Sequence, residues 1–365
     1  MAIQNDIVTA VFDTGGLNRE SFPKSFVFGT STSAYQVEGA ASKDGRGPSV
    51  WDTFIKQPGR EPNNASGEVS ADQYHHYKED IDLMVKLNFD AYRFSISWSR
   101  IFPNGTGKIN WKGVTYYNKL INYMLKRGIA PYVNLNHYDL PQALQNRYKG
   151  WLSHEVVFLH PLVYGEYPKT MQNIVGDRLP KFTKEEIKMV KGSIDYVGIN
   201  HYTTFYAYDH LSKLKALAYQ QDQNCGFAND RKGVPIGPRA HSYWLYIVPW
   251  GLYKAVNYVK EHYGNPTILL SENGMDYAGN ISLSEALHDT KRIDYYRSYL
   301  AELKKAIDEG ANVIGYFAWS LLDNFEWRSG YTSRFGIIYV DYTTLKRYPK
   351  MSAYWFKQLL KSHKH

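Results

Sequence analysis

The chain has 365 residues, with 43 Lys and Arg against 35 Asp and Glu, which gives a formal net charge of +8. The length suits one large α/β barrel with elaborated loops, so we expect a single domain over residues 1–365. The basic side chains are dispersed among acidic ones, which argues against a nucleic-acid partner, and the single cysteine excludes an internal disulfide framework.

Short apolar runs rich in β-branched residues alternate with amphipathic helical stretches, which predicts parallel βα units. The predicted strands span residues 26–30, 91–96, 131–135, 196–200, 267–271 and 313–318. The predicted helices span residues 72–87, 112–126, 184–190, 252–262, 290–308 and 350–360. Thr183 and Glu186 make a capping box for the third helix, and Gly310 is expected to end the fifth.

One interval lacks the expected pattern. Between the third predicted strand and the strand at residue 196, the sequence is rich in Tyr, Pro and charge and has no strand-like run. Two βα units would be expected there in an eight-stranded barrel.

The first 24 residues contain no apolar run long enough for a signal peptide, and no segment elsewhere is apolar enough to span a membrane. Glycosylation sequons begin at Asn64, Asn104 and Asn280. The chain as it stands is therefore expected to be cytoplasmic, with no membrane partner and with a secretory ancestor left open.

Polar and aromatic residues follow the predicted strands, at the end where barrel enzymes place their sites. Glu272 stands directly after the largely apolar run 267–271, which is how a carboxylate nucleophile is held on a rigid element. A helix N-cap or a structural ion pair is the alternative interpretation of Glu272. The chain also has 32 Tyr and 9 Trp, an abundance that is common where sugar rings are stacked.

Several of these segments resemble the signatures of glycoside hydrolase family 1, in the family's order: residues 26–39, 92–100, 137–141, 198–202, 271–274 and 319–339. The resemblance extends from residue 22 to residue 361. The segment His137-Tyr138-Asp139 has tyrosine where many members have tryptophan. In this it resembles plant β-glucosidases and β-mannosidases that act on oligosaccharides. The resemblance implies a monomeric retaining β-glycosidase (EC 3.2.1.-) on a (β/α)8 TIM-type barrel. Its expected ligands are β-glucosides, β-mannosides or oligosaccharides, and it implies no cofactor and no metal.

The resemblance also assigns roles to single residues. Glu272 matches the nucleophile, and Arg93 and Tyr202 match the groups that hydrogen-bond and orient it. The other matches surround the terminal sugar: Gln36, His137, Glu326 and Trp327 at its hydroxyl groups, Trp319 under its ring and Phe335 over its hydroxymethyl group. A single His, Trp or Phe is more often structural, but their joint placement after successive strands favours a site.

The family pattern breaks at the second carboxyl group. Retaining hydrolysis needs two carboxyl groups about 5 to 5.5 Å apart, of which one attacks the anomeric carbon and the other protonates the leaving oxygen and then activates water. In the family the second lies in an Asn-Glu-Pro segment after the fourth strand, and this sequence contains no Asn-Glu dipeptide. The alignment breaks near Val157 and Phe158. Two βα units, roughly 60 residues, are therefore expected to be missing.

The predicted fold is thus an incomplete α/β barrel without strands four and five, whose two free edges either pair with each other or stay exposed. Four residues near the break are candidates for a substitute acid: His154, Glu155, His160 and Glu166. The leading functional hypothesis is a β-glycosidase with impaired hydrolysis. The alternatives are a sugar-binding or interaction protein without hydrolytic activity, and a pocket reused for other chemistry.

Overall fold

The computed structural model describes residues 7, 9–148, 159–210 and 224–361. Its main sheet has six parallel strands, which agree with the six predicted strands to within two residues at either end: β1 (Val27–Ser31), β2 (Ala91–Ser95), β3 (Ala130–Asn134), β4 (Val197–Asn200), β5 (Ile268–Asn273) and β6 (Val313–Trp319). The strand order is β3-β2-β1-β6-β5-β4. The carboxyl ends of all six strands therefore meet at one end of the curled sheet.

Six helices follow the predicted pattern: α1 (Gln73–Lys86), α2 (Trp111–Lys126), α3 (Lys184–Val190), α4 (Pro249–His262), α5 (Thr290–Asp308) and α6 (Met351–Leu359). The predicted capping box begins α3, because the backbone nitrogen of Glu186 donates to the Thr183 hydroxyl at 3.2 Å. Gly310 follows α5 with a φ of 92°, a conformation that favours glycine, as expected for a helix stop.

The core lies between the sheet and the surrounding helices. β5 is buried along its whole length, and Leu300 and Leu303 on the inner face of α5 are fully buried. In α2, Leu120 and Met124 are buried four residues apart, on one face of the helix. This packing holds the carboxyl ends of the central strands rigidly in place.

The predicted absence of two strands is confirmed. Between β3 and β4 the described residues form helices at Gln142–Tyr148, Leu159–Tyr164, Lys169–Val175 and α3, with no strand. The fold is an incomplete (β/α)8 barrel. Within the described part of the chain nothing pairs with the outer edge of β3 or of β4, so the sheet stays open. The break expected at Val157 and Phe158 lies outside the described residues.

None of the described helices combines the length and the apolar character that crossing a membrane would require.

Candidate active site

Glu272 is held by residues from two other strands. It lies near the end of β5 with 3% of its surface exposed. Arg93 on β2 donates from Nη1 to its Oε1 at 2.5 Å, and Tyr202 after β4 donates from Oη to its Oε2 at 2.6 Å. Because Glu272 is part of a strand, the helix N-cap interpretation is wrong. The ion pair with Arg93 is present, and it holds the buried carboxylate in one orientation.

His137 approaches the same carboxylate from β3. Its Nδ1 lies 3.8 Å from Oε1 of Glu272 and 3.2 Å from Nδ2 of Asn134. An amide nitrogen can only donate, so Nδ1 accepts this hydrogen bond and the ring proton is on Nε2. Burial lowers the pKa of His137 to about 4, against the raising effect of Glu272. The imidazole is therefore neutral at neutral pH, with an Nε2–H that can donate to a sugar hydroxyl.

Gln36 and Glu326 form a second polar group. Nε2 of Gln36 donates to Oε2 of Glu326 and to Oδ1 of Asn324, both at 3.2 Å, while its Oε1 accepts from the Ser33 hydroxyl at 2.7 Å. Burial, then the charges of Asp276 and Glu272, raise the pKa of Glu326 to about 8. Glu326 is therefore mainly a neutral carboxyl group at neutral pH, which can both donate to and accept from a hydroxyl group.

Aromatic rings connect the two polar groups. The His137 ring is nearly parallel to Trp319, with centroids 5.7 Å apart, and to Trp327, with centroids 6.0 Å apart. Phe335 meets Tyr202 edge-on at 5.9 Å. Trp319 and Phe335 are each only 2% exposed and belong to the hydrophobic core, so their roles as sugar contacts stay predictions.

The structure brings all nine predicted residues into one connected cluster at the carboxyl end of the sheet. Of the four candidate acids near the break, the two that the structure describes, His160 and Glu166, do not join this cluster. The ring of His160 packs against Tyr164 and Tyr263. Tyr263 lies between the end of α4 and the start of β5, at the opposite end of the strands from Glu272. Glu166 is solvent-exposed. His154 and Glu155 lie outside the described residues.

A buried charge network near the carboxyl end of the sheet was not predicted from the sequence. Asp323 accepts from Arg334 and from Lys350, each at 2.8 Å, with all three side chains almost fully buried. Against the raising effect of burial, these two cations hold the pKa of Asp323 below its usual range. Burial in turn lowers the pKa of Lys350 to about 8. The network fixes the loop between β6 and Arg334, and this loop carries Glu326.

A buried carboxyl group beside the site was also missed. Asp139 is fully buried, and its Oδ2 has no hydrogen-bond partner among the described residues. Burial raises its pKa to about 7, against the lowering effect of Arg46. Asp139 lies in the quoted segment 137–141, but its burial depends on neighbours distant in sequence, so no local signal marked it.

Six parallel strands with a hydrogen-bonded carboxylate and sugar-binding residue types at their carboxyl ends define an incomplete barrel of the glycoside hydrolase class. The family model described as Glycosyl hydrolase family 1 matches residues 18–157 and 153–365. The chain belongs to this family, whose members are retaining O-glycosyl hydrolases.

Several relatives are plant β-glucosidases. Beta-glucosidase 44 of Arabidopsis thaliana is 52% identical over 473 aligned positions, which include 95% of this chain and 92% of that protein. Beta-glucosidase 1 of Oryza sativa subsp. japonica is 50% identical, with 96% of this chain and 91% of that protein covered. The crystal structure of a rice β-glucosidase superposes with a TM-score of 0.91 at 38% identity, covering 95% of this chain and 100% of that one. Its glutamate-to-glutamine variant was solved in a covalent complex with glucose.

Proposed function

We propose that this chain is a β-glycosidase that retains the nucleophile and the sugar pocket but lacks the acid/base carboxyl group, so that its hydrolysis of natural glycosides is impaired. The observation that carries the proposal is the position of Glu272, whose two oxygens accept hydrogen bonds from Arg93 and Tyr202. The relatives named as β-glucosidases favour β-glucosides as substrates. β-Mannosides and oligosaccharides remain within the proposed class.

The first chemical step needs only the groups around Glu272. An oxygen of Glu272 attacks the anomeric carbon, and the bond to the leaving group breaks to give a covalent glycosyl-enzyme. Arg93 and Tyr202 hold the carboxylate in the orientation for attack. An alcohol leaves poorly without a proton, and loss of general acid/base help typically costs about 10²- to 10⁴-fold in rate. Natural glycosides are therefore expected to react slowly.

Three observations support the absence of the acid/base group. The sequence contains no Asn-Glu dipeptide. The family model matches in two pieces, which overlap at residues 153–157. The alignment with the Arabidopsis relative runs over 473 positions, although this chain has 365 residues, so part of that relative has no counterpart here. The segment that supplies the second carboxyl group in the family is, on this proposal, the part that is missing.

Intact-mass spectrometry after mixing with dinitrophenyl 2-fluoro-β-glucoside tests the proposal. Its phenolate leaves without a proton, so the parent protein should gain one fluoroglucosyl mass. Glu272→Gln should gain none, whereas Glu79→Gln, a control at an exposed position of α1, should react like the parent. No added mass on the parent, or the same mass on Glu272→Gln, would refute the proposal. Calorimetric binding of a glucose-mimicking inhibitor without labelling would favour the sugar-binding alternative.

A further inference from the structure

A groove of about 600 Å³ lies between the first turns of α1 and α2. These helices follow β1 and β2, so their first turns lie outside the sheet at its carboxyl end, which is also the end that carries Glu272. The residues that line the groove are all described, and none of them belongs to the cluster around Glu272. The groove is therefore a cavity separate from the candidate active site.

Aromatic side chains form much of the lining. Trp111, the first residue of α2, is 68% exposed, although its large ring would gain free energy from burial. Tyr116 on α2 packs against Tyr74 of α1 with ring centroids 4.4 Å apart, and Tyr77 meets Tyr116 edge-on at 6.1 Å. An exposed tryptophan beside packed tyrosines offers a flat apolar surface that a ligand can cover.

The shape of the groove is held by hydrogen bonds from both helices to one loop. Asp44 accepts from Oη of Tyr74 at 3.0 Å and from Nζ of Lys112 at 3.1 Å. Nδ2 of Asn110 donates to the backbone oxygen of Asp44 at 2.8 Å. The ion pair neutralises one of the two lysines in the lining, so that Lys119 adds only a small excess of positive charge. The groove is thus a preformed and nearly neutral site.

The polar part of the lining can both donate and accept hydrogen bonds. Nδ1 of His75 contacts Asp72 at 2.6 Å, and the side chain is 62% exposed, so Nε2 is available to a ligand. The hydroxyl of Thr115 donates to the backbone oxygen of Trp111 at 2.8 Å, which leaves its lone pairs free to accept. Groups of this kind suit a ligand whose hydroxyl groups also donate and accept.

The groove is attached to the segment that carries Gln36. The backbone nitrogen of Tyr74 donates to the backbone oxygen of Glu38 at 3.0 Å, two residues after Gln36. The guanidinium of Arg100 lies 4.6 Å from the centre of the Tyr74 ring, and its Nε donates to Oε2 of Glu38 at 2.9 Å. One buried ion pair therefore supports both the floor of the groove and the loop after β1.

We propose that the groove between α1 and α2 is a second sugar-binding site, which holds units of a neutral β-linked glucose oligosaccharide outside the pocket at Glu272. The sugar class follows from the lining of the groove, whereas the choice of β-linked glucose rests on the proposed function. A chain held at the carboxyl end of the sheet raises the local concentration of sugar termini near the pocket.

A neutral sugar fits the groove better than an anion does. The ring of a β-linked glucose unit presents carbon-bound hydrogens on its faces, which pack on an aromatic ring such as Trp111, and hydroxyl groups at its edge. Polar groups on both helices then meet these hydroxyl groups. An anion would need unpaired cations, but Lys112 is already bound to Asp44.

The test is a titration with cellohexaose followed by saturation-transfer NMR. All proteins carry Glu272→Gln and Glu326→Ala, which remove the proposed chemistry and a polar contact of the pocket. Cellohexaose should still bind, and Trp111→Ala in this background should weaken binding at least about tenfold. Lys119→Ala should weaken it about two- to tenfold through a lost hydrogen bond. Tyr258→Ala, which removes a half-exposed ring on α4, is the matched control and should bind like the background protein.

Salt dependence gives a second measurement. Added sodium chloride should leave the affinity for cellohexaose unchanged, because the ligand carries no charge. Thermal melting of each variant confirms folding, and the exposure of Trp111 favours a folded Trp111→Ala protein. Absence of binding in the background protein, equal affinity in Trp111→Ala, or an equal loss in Tyr258→Ala would overturn the proposal.

Labelling by the 2-fluoro reagent keeps the two proposals apart, because it requires Glu272 and the titration does not. If the parent protein is labelled at Glu272 but cellohexaose does not bind the background protein, only the groove proposal is wrong. If labelling fails while cellohexaose binds through Trp111, the proposed function is wrong and the groove remains a sugar-binding site.

Discussion

The hydroxyl of Tyr202, which follows β4, and the carboxylate of Glu272 on the neighbouring strand β5 are 2.6 Å apart. Arg93 donates a hydrogen bond to the other carboxylate oxygen, so each oxygen of Glu272 has its own donor. This arrangement orients the carboxylate before any sugar binds.

Replacement of Tyr202 by Phe should slow the labelling of Glu272 by the 2-fluoro reagent. A hydrogen bond to a charged group contributes about 1.5–3 kcal/mol, so a decrease of about ten- to hundredfold is expected. The measurement is the rate of mass gain, with thermal melting to confirm folding. Tyr208→Phe, which removes a hydroxyl group from a half-exposed ring, is the matched control and should label normally. An unchanged rate in Tyr202→Phe would show that this contact does not orient the nucleophile.

Activated aryl glucosides should give a burst of phenolate followed by slow turnover. The first step needs no acid, whereas water attacks the glycosyl-enzyme slowly because no base activates it. Azide needs no base, so it should accelerate the slow phase and yield β-glucosyl azide. Stopped-flow absorbance and mass spectrometry check both effects, with sodium chloride as the control for ionic strength. Steady hydrolysis without a burst and without an azide effect would indicate that an acid/base group is present.

Glu326→Ala should abolish the detectable binding of a glucose-mimicking inhibitor. Glu326 and Gln36 form the polar side of the pocket, and a pocket built to hydrogen-bond hydroxyl groups loses about 10²-fold or more when such a partner is removed. Isothermal calorimetry measures the affinity, and Glu79→Ala is the control at an exposed position. Equal affinity in Glu326→Ala and the parent would remove Glu326 from the pocket.

Glu326→Gln should change how stability depends on pH. The folded pKa of about 8 lies above the ordinary value of 4.5, so between these values the folded chain holds a proton that the unfolded chain has lost. The contribution of Glu326 to stability therefore falls as pH rises from about 4.5 to 8 and is constant above that. Because the side chain is partly exposed, the effect is smaller than the full pKa difference implies.

Thermal melting of the parent and of Glu326→Gln between pH 5 and pH 9 tests this dependence. The variant should gain in melting temperature relative to the parent as pH rises to about 8, after which the difference should level off. His137, whose pKa is lowered to about 4, acts equally in both proteins and cancels in the comparison. Parallel melting curves across the range would contradict the raised pKa of Glu326.

The chain should melt at a lower temperature than Beta-glucosidase 44 of Arabidopsis thaliana. The outer edges of β3 and β4 lack strand partners among the described residues, and six strands cannot keep the interior layers of an eight-stranded barrel. Differential scanning calorimetry of both proteins in one buffer checks the difference. An equal or higher melting temperature would show that the open sheet is stabilised by other means.

Much of the architecture followed from local patterns. β5 was predicted from the apolar run before Glu272, and α3 was predicted from its capping box. These signals lie within a few residues of the elements they define, so they can be recognised without knowledge of the rest of the chain. The two missing strands were also visible, as an interval without strand-like sequence.

The protonation states and the supporting contacts were not predictable in this way. Glu326 accepts a hydrogen bond from Gln36, which lies 290 residues away in the sequence. Its raised pKa depends on burial and on the charges of Asp276 and Glu272. The pairing of Asp323 with Lys350 depends equally on how the loop after β6 folds against α6. The pKa of a side chain depends on every neighbouring charge and on its exposure to water, and a local sequence motif predicts neither.

The sequence by itself determined the order of the strands and helices, the candidate nucleophile and the residue types around it, because periodicity and short motifs are properties of adjacent residues. Only the tertiary structure decided that, within the described residues, the outer edges of β3 and β4 have no strand partner. Strand closure depends on the curvature of the whole sheet and on hydrogen bonds between distant segments, so it is settled only when the chain folds.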